Sequence, residues 1–369
     1  MKRSIAALGL TALLGHAAGF PADSTRGRQL FAKLSCVQCH AVDGKGGSIG
    51  PDLGRVIDRG FTPARLAATM WNHAPAMWAA MKQQGIPAGD MNDQAAADLF
   101  AYFYSARFFE APGDAARGKR AFEAKHCSAC HGLAAPEVAA PTARPLSQWT
   151  SIGQPMALAA AMWNHGALMR EEFAKHHLKW PGLNSQDLTD LLVYARNLHG
   201  APATDSRLEI SSGVEGEALF QSKGCSACHV RGLALSQRLK GKTLTGIAAA
   251  MWDHQPRMAV DPKSLTTEEM REITSYLWAV QFFEDQGDSV AGRRVFHSKR
   301  CAACHQSSGA APGLAGRTFS GITMLSALWH HGPQMLDQMK ATNIAWPRFD
   351  GTQMSDLIAF LNFRNRSKP

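Results

Sequence analysis

An all-α protein built from four tandem units of one kind is the fold this sequence predicts, and three observations carry the prediction. A Cys-x-x-Cys-His motif occurs four times, each copy with a matching leader and a matching downstream signature. Between the motifs, apolar residues recur at three-to-four spacing with little alternation, the pattern of helices with one apolar face. Gly- and Pro-bearing stretches punctuate these segments as loops. The 369 residues alone suggest two or three domains, at about 150 residues per domain. The repeats replace that figure with four.

The chain opens on Lys2 and Arg3, an apolar run from Ile5 to Ala18 interrupted by Thr11 and His16, and small residues before Phe20-Pro21. This is the pattern of a secretory signal peptide, assigned to residues 1–22. Its apolar core falls short of the roughly 20 residues of a spanning helix. No later stretch approaches that length, so no membrane span is expected after cleavage. Composition agrees with a folded chain: 45% hydrophobic and 19% charged residues exclude both a disordered polymer and a polytopic membrane protein. The formal charge of +9 leaves three partners open, namely nucleic acid, an anionic membrane surface, or an anionic prosthetic group.

The four motifs are CVQCH at 36–40, CSACH at 127–131, CSACH at 225–229 and CAACH at 301–305. Nine residues before each first cysteine stands a glycine (Gly27, Gly118, Gly216, Gly292), and five before it a phenylalanine (Phe31, Phe122, Phe220, Phe296). Downstream, each unit carries Trp-x-His-x-x-x-Met: Trp71/His73/Met77, Trp163/His165/Met169, Trp252/His254/Met258 and Trp329/His331/Met335. Each closes with an apolar helix bearing Tyr102, Tyr194, Tyr276 or Phe360. Ser24, Asn92, Ser185 and Thr266 stand where N-caps are expected.

The resulting domains are 23–111, 112–200, 201–284 and 285–369, with residues 201–213 as a flexible linker. The joints FFEAPGDAARG (108–118) and FFEDQGDSVAG (282–292) resemble each other. A duplicated pair is therefore expected, with short distances between sites inside the pairs 1–2 and 3–4.

Two cysteines three apart on a helical turn place both thiols on one side of the backbone, and the next residue adds an imidazole. That is the geometry for covalent haem: two thioethers to the vinyl groups and a proximal iron ligand. Cys36, Cys39, Cys127, Cys130, Cys225, Cys228, Cys301 and Cys304 would bind four haem c groups, with His40, His131, His229 and His305 as proximal ligands. Zinc would need a second ligand pair at finger-like spacing. Disulfides within CxxC would staple almost no chain, and a thioredoxin-like pair would need alternating strands. Lys2 and Arg3 leave with the leader, so the charge becomes +7; eight propionates would bring it to about −1. The nucleic-acid reading loses its support.

With these motifs the chain resembles the class I cytochrome c family over essentially all of the sequence after the leader, as four tandem cytochrome c-like domains. The loops IGPDLG (49–54), APTARPL (140–146) and APGL (311–314) extend the resemblance. It implies that first and last helices cross where a glycine meets an aromatic residue, and that a loop proline flanks the carbonyl holding the proximal histidine. The third unit has no proline between Cys225 and Pro256.

The family's distal Met-Pro is absent: the corresponding dipeptides are Ile86-Pro87, Trp180-Pro181, Asp261-Pro262 and Trp346-Pro347. Met91, near that place in the first unit, reads as packing beneath the last helix. The sixth ligand is expected from the upstream helix, whose one face lines up Leu66, Met70, His73, Met77 and Met81. Met77, Met169, Met258 and Met335 are the preferred distal ligands, because a merely packing Met would exchange with Leu at little cost. His73, His165, His254 and His331 are the alternative. Pro75, Pro256 and Pro333 are expected to break the helix between His and Met. The recurrent Trp reads as core packing. His126, His176, His177, His199, His297 and His330 do not recur in register and read as surface or loop residues, with His330 a rival to His331.

Iron with both axial positions filled leaves one-electron transfer as its chemistry. The expected function is an exported electron carrier, periplasmic first and extracellular or membrane-peripheral second, serving protein redox partners; no catalytic residue is assigned. Two alternatives stand beside it. One is a haem enzyme reducing a peroxide-like oxidant at one open haem, the third unit first. The other is the electron-transfer subunit of a larger oxidoreductase complex.

Overall fold

The computed structural model describes residues 21–54, 61–106, 113–137, 141–149, 155–198, 210–211, 214–229, 235–239, 241–258, 261–281, 287–306, 311, 314 and 317–366. The leader, His199 and most of the 201–213 segment lie outside them.

The described residues are overwhelmingly helical, and the helices repeat one order four times. The first group comprises α1 (Ser24–Lys33), α2 (Pro63–Gln83) and α3 (Asp93–Ala106). The second comprises α4 (Ala115–Ala124), α5 (Pro155–Lys175) and α6 (Ser185–Leu198), and the third α7 (Val214–Ser222), the short α8 (Leu235–Arg238), α9 (Leu244–His254) and α10 (Thr267–Val280). In the fourth are α11 (Ser289–Ser298), α12 (Gly321–Ala341) and α13 (Gln353–Arg366).

In every group the first helix crosses the last, and the crossing is fixed by the repeated glycine. A Cβ at Gly27 would collide with the Asp98 carbonyl and Tyr102, and Gly118, Gly216 and Gly292 meet the backbone carbonyls of Asp190, Glu272 and Asp356 beside Tyr194, Tyr276 and Phe360. The leader phenylalanines pack on the same aromatics, with ring centres 5.7, 5.8, 5.8 and 5.4 Å apart. Two groups add an ion pair that sequence periodicity does not reveal. Arg26 grips Asp98, and Arg117 grips Asp190, each through two guanidinium nitrogens at 2.8–2.9 Å. Both acids also accept the backbone N–H of the helix-capping aspartate opposite, Asp23 or Asp114, at 2.8 Å.

Several local expectations change. Asp23 and Asn184, one residue before Ser24 and Ser185, supply the capping oxygens, while Asn92 and Thr266 cap as expected. A small hairpin, β1 (Ala41–Val42) with β2 (Lys45–Gly46), forms where no strand was expected. Its cause is local: Asp43 and Gly44 both take positive φ, 54° and 77°, the two-residue turn that Asp-Gly favours. The Asp52 carboxylate holds that turn by accepting from the N–H groups of Asp43 and Gly44.

Pro75 and Pro333 do not break their helices, since α2 and α12 each run 21 residues through them. A proline lacks the N–H that would bond the carbonyl four residues back. For Pro75 that carbonyl belongs to Trp71, and it accepts the Trp346 indole N–H at 2.9 Å instead. Only in the third group does the helix end as expected: α9 stops at His254 and a 3-10 turn, Gln255–Arg257, follows.

The groups pack 1 with 4 and 2 with 3, not in the duplicated order 1–2 and 3–4. Each contact is reciprocal. Asn72 exchanges two hydrogen bonds with the Phe349 backbone, both 2.7 Å, while Trp329 donates to the Gly89 carbonyl and His330 Nε2 pairs with Asp90 at 2.8 Å. Asn164 likewise exchanges two bonds with Leu265, both 2.8 Å, and Trp163 donates to Lys263 O. In return Trp252 donates to Pro181 O and Asp253 accepts from Leu183 N–H, each at 2.8 Å. The recurrent Trp packs in the core as expected, with Trp163, Trp252 and Trp329 buried and Trp71 against them, and with the residue after it also clamps the neighbouring group. The two contacts are themselves joined, because Trp278 of the third group stacks on Phe100 of the first. Ile210, at the end of the expected flexible linker, is buried and bonded to Ser24.

Candidate cofactor site

Each motif begins with a sharp reversal of the chain. The residue before the first cysteine is left-handed in every copy: Ser35, His126 and Arg300 at φ 61°, and Gly224 at 87°. A three-residue 3-10 turn follows, starting at Cys36, Cys127, Cys225 or Cys301. In that geometry side chains three apart eclipse, so the two thiols face one way. The histidine N–H closes the turn on the first cysteine's carbonyl at 2.9, 2.9, 3.1 and 3.0 Å. None of the eight cysteines is paired in a disulfide. Burial pushes the Cys36 and Cys301 thiols up to about 11 and Cys127 to about 12, which places the first sulfur of these motifs against the apolar interior. Among the described residues no three His, Cys, Asp or Glu side chains converge on a metal position, which leaves zinc without a ligand set.

The proximal histidines are oriented from behind. His40 Nδ1 donates to Pro51 O at 3.1 Å, and His131 Nδ1 to Arg144 O at 2.9 Å, the carbonyl just before Pro145. Gly50 lies against the His40 ring, where a Cβ would strike the imidazole. The loop without a proline differs as expected: His229 Nδ1 is buried and has no hydrogen-bond partner among the described residues.

Facing these rings in the first three groups are the histidines of the downstream helix. His40 and His73, His131 and His165, and His229 and His254 have ring centres 6.3, 6.1 and 5.6 Å apart. In the fourth group His331 lies at the corresponding sequence position on α12, where it is exposed. His73 Nδ1 donates to Thr69 O, one turn back, at 2.6 Å, and the backbone of Ala161, one turn before His165, interacts with that ring. A ring tied through Nδ1 to a carbonyl presents Nε2 as a free lone pair, the arrangement of metal-bound histidines. Burial, reinforced by the facing histidine, lowers the pKa of both His165 and His254 and favours that neutral form.

Two imidazoles bound through Nε2 to one metal, each about 2 Å from it, have ring centres about 6 Å apart. The observed pairs fit an iron between them, with the two thiols beside it for a porphyrin's vinyl groups. The recurrent methionines have a less uniform setting. Met77, Met169 and Met258 pack half-buried against the apolar core, and Met335 is half-buried on α12. Met258 lies beyond the end of α9 in extended backbone, so it does not stack one turn after His254 as expected. Met91 is buried in the core at the place filled by Leu183, Leu265 and Phe349 in the other groups. His330, bonded at Nδ1 to Ser326 O and at Nε2 to Asp90, belongs to the contact between groups rather than to a site.

Helices crossing at a glycine, paired thiols on a tight turn and an imidazole backed by a loop carbonyl define a carrier of covalently attached haem. The cytochrome c family model matches residues 24–106 and 115–199, the first and second helical groups. Over these two regions, a little under half of the chain, the sequence matches the cytochrome c family, a match that implies covalent haem c and a role in electron transfer. No curated protein and no solved structure matches it significantly.

Proposed function

We propose that the chain is an exported tetrahaem c-type cytochrome that passes single electrons between protein redox partners. The third and fourth groups carry the same motif on the same left-handed turn as the two matched ones, which supports haem at all four and division near 23–111, 112–200, 201–284 and 285–369. The leader at 1–22 supports export, to the periplasm first. No helix among the described residues is long and apolar enough to cross a membrane.

The distal ligands we assign are His73, His165, His254 and His331, in place of the preferred methionines. The observation that carries this reading is the set of facing imidazoles with ring centres 5.6–6.3 Å apart. When bound, the haem iron supplies a one-electron ferric/ferrous couple. The protein's part is to hold the iron closed on both sides: loop carbonyls orient the His40 and His131 rings, and a helix carbonyl one turn back orients His73. The surrounding apolar core excludes water. With no open position a small oxidant has nowhere to bind, and outer-sphere electron transfer remains.

An optical redox titration of the holoprotein tests the proposal. Four one-electron steps between low-spin forms are expected, with pyridine haemochrome giving four haems per chain. Rapid carbon monoxide binding to one reduced centre would overturn the closed-site reading.

A further inference from the structure

The reciprocal contacts between groups do more than hold the molecule together. Their hydrogen bonds are made by residues immediately beside the distal histidines. Gln255, next to His254, is 1% exposed and donates to the carbonyl of Trp163, two residues before His165, at 2.8 Å. A single hydrogen bond thus links the backbone segments carrying two distal histidines. Gly166, next to His165, makes room for this side chain, since any Cβ there would run into the Gln255 amide. In the other pair Gly332, next to His331, makes room for the Trp78 ring in the same way.

Stacked indoles accompany both contacts. Trp346 of the fourth group lies on Trp71 of the first, with ring centres 5.1 Å apart and planes at 24°, and meets Trp78 edge-on at 5.7 Å. Trp71 stands two residues before His73 on α2. Trp180 of the second group lies on Trp252 of the third at 4.2 Å and 27°, and Trp252 stands two residues before His254. The indole N–H groups of Trp78 and Trp180 are buried and have no hydrogen-bond partner among the described residues. Ring contact, rather than hydrogen bonding, holds those two in place. A structural clamp needs the outer hydrogen bonds; it does not need aromatic faces joined next to both distal helices.

We propose that the protein works as two electron-sharing pairs, sites 1 with 4 and sites 2 with 3, and that Trp346 and Trp180 are the bridging side chains that couple them. This rests on the tetrahaem reading above. The step is a single electron leaving ferrous iron at one site, which becomes ferric, and arriving at ferric iron of the paired site, which becomes ferrous. No bond forms or breaks and the indoles are not oxidised; they supply a continuous packed path. The pairs meet where Trp278 stacks on Phe100 at 5.7 Å and touches Tyr104 at 4.7 Å. The spatial order is accordingly 2–3–1–4, and consecutive motifs in the chain are not consecutive on the path.

The experiment uses the full holoprotein. Pyridine haemochrome is read first and tests the tetrahaem reading separately from the pairing. Single substitutions His73→Met, His165→Met, His254→Met and His331→Met then each mark one haem by shifting its spectrum and potential. After photochemical injection of one electron into the ferric protein, the fastest equilibration should join haems 1 and 4, and haems 2 and 3. Trp346→Leu should slow the first exchange severalfold and leave the second unchanged, and Trp180→Leu the reverse, each with four haems and unaltered ligand-field spectra. Trp346→Phe, which keeps a ring, should retain most of the rate. Fastest exchange within 1–2 or 3–4 would overturn the proposal, as would Leu variants that exchange at the wild-type rate. The pairing is read on the marked chains with both tryptophans intact, so it is decided even if a Leu variant fails to fold.

Discussion

Ser35, His126 and Arg300 each hold a left-handed backbone without being glycine, at the tightest point of the cofactor loop. Such a conformation costs a residue with a Cβ about 1–2 kcal/mol, and Gly224 shows that the fold accepts the relaxed residue there. His126→Gly should therefore stabilise the protein by about 1 kcal/mol, and Gly224→Ala should destabilise it by a similar amount; denaturant midpoints at constant slope measure both. Asp190 gives a pH-dependent counterpart. Burial raises its pKa, but the Arg117 pair and the Asp114 N–H outweigh burial and hold it below the usual carboxylate range. A depressed carboxyl adds stability above its unfolded pKa and loses it as pH falls through the folded one. Wild type should thus exceed Asp190→Asn in stability near neutrality, and the difference should shrink as the pH drops below about 4; matched unfolding curves across that range check it. At this scale the sequence already named the ligating chemistry, because CxxCH admits few readings. It did not choose between His and Met, since both recur on one helical face. The proposal of His rests on a carbonyl one turn back from His73 and on facing rings in three groups, neither of which spacing alone encodes.

Among elements, the helices that carry the distal histidines do two jobs on two faces. One face turns inward to the proximal histidine, and the other grips a neighbouring group through Trp and Asn. The drift just before the histidine, Asn72, Asn164, Asp253 and His330, looked like freedom in the sequence. It is adaptation to four different partner loops, each satisfied by its own hydrogen bonds. Asn164→Ala would leave the N–H and C=O of Leu265 without these partners and should cost about 1–3 kcal/mol, read from the unfolding midpoint. Gly166→Leu would drive a side chain into Gln255 and should destabilise the contact between the second and third groups by about 1–3 kcal/mol, seen as faster hydrogen exchange in α5 and α9. The prolines show why element ends were misjudged. A proline ends a helix unless the orphaned carbonyl finds another donor, and for Trp71 that donor comes 275 residues later in the chain. The Asp-Gly hairpin, by contrast, is a local signal, but its two-residue strands are too short to produce the alternation by which a strand is recognised.

Across the whole molecule, the four repeats, the helix crossings and the glycine–aromatic pairs were legible because they rest on short, regularly recurring signals. The partnership of groups was not. Similar joints at 108–118 and 282–292 record ancestry, whereas packing follows the reciprocal fit of Gly166 to Gln255 and Gly332 to Trp78. The result is a molecule in which the first and last groups touch and Ile210 is buried against Ser24. Its central chemical claim, that each iron is held between two histidines, is tested most directly by the near-infrared and electron paramagnetic resonance spectra of the fully ferric holoprotein. The facing imidazoles predict low-spin iron throughout and no sulfur-to-iron charge-transfer band. That band, or a high-spin ferric signal from any of the four haems, would contradict the account.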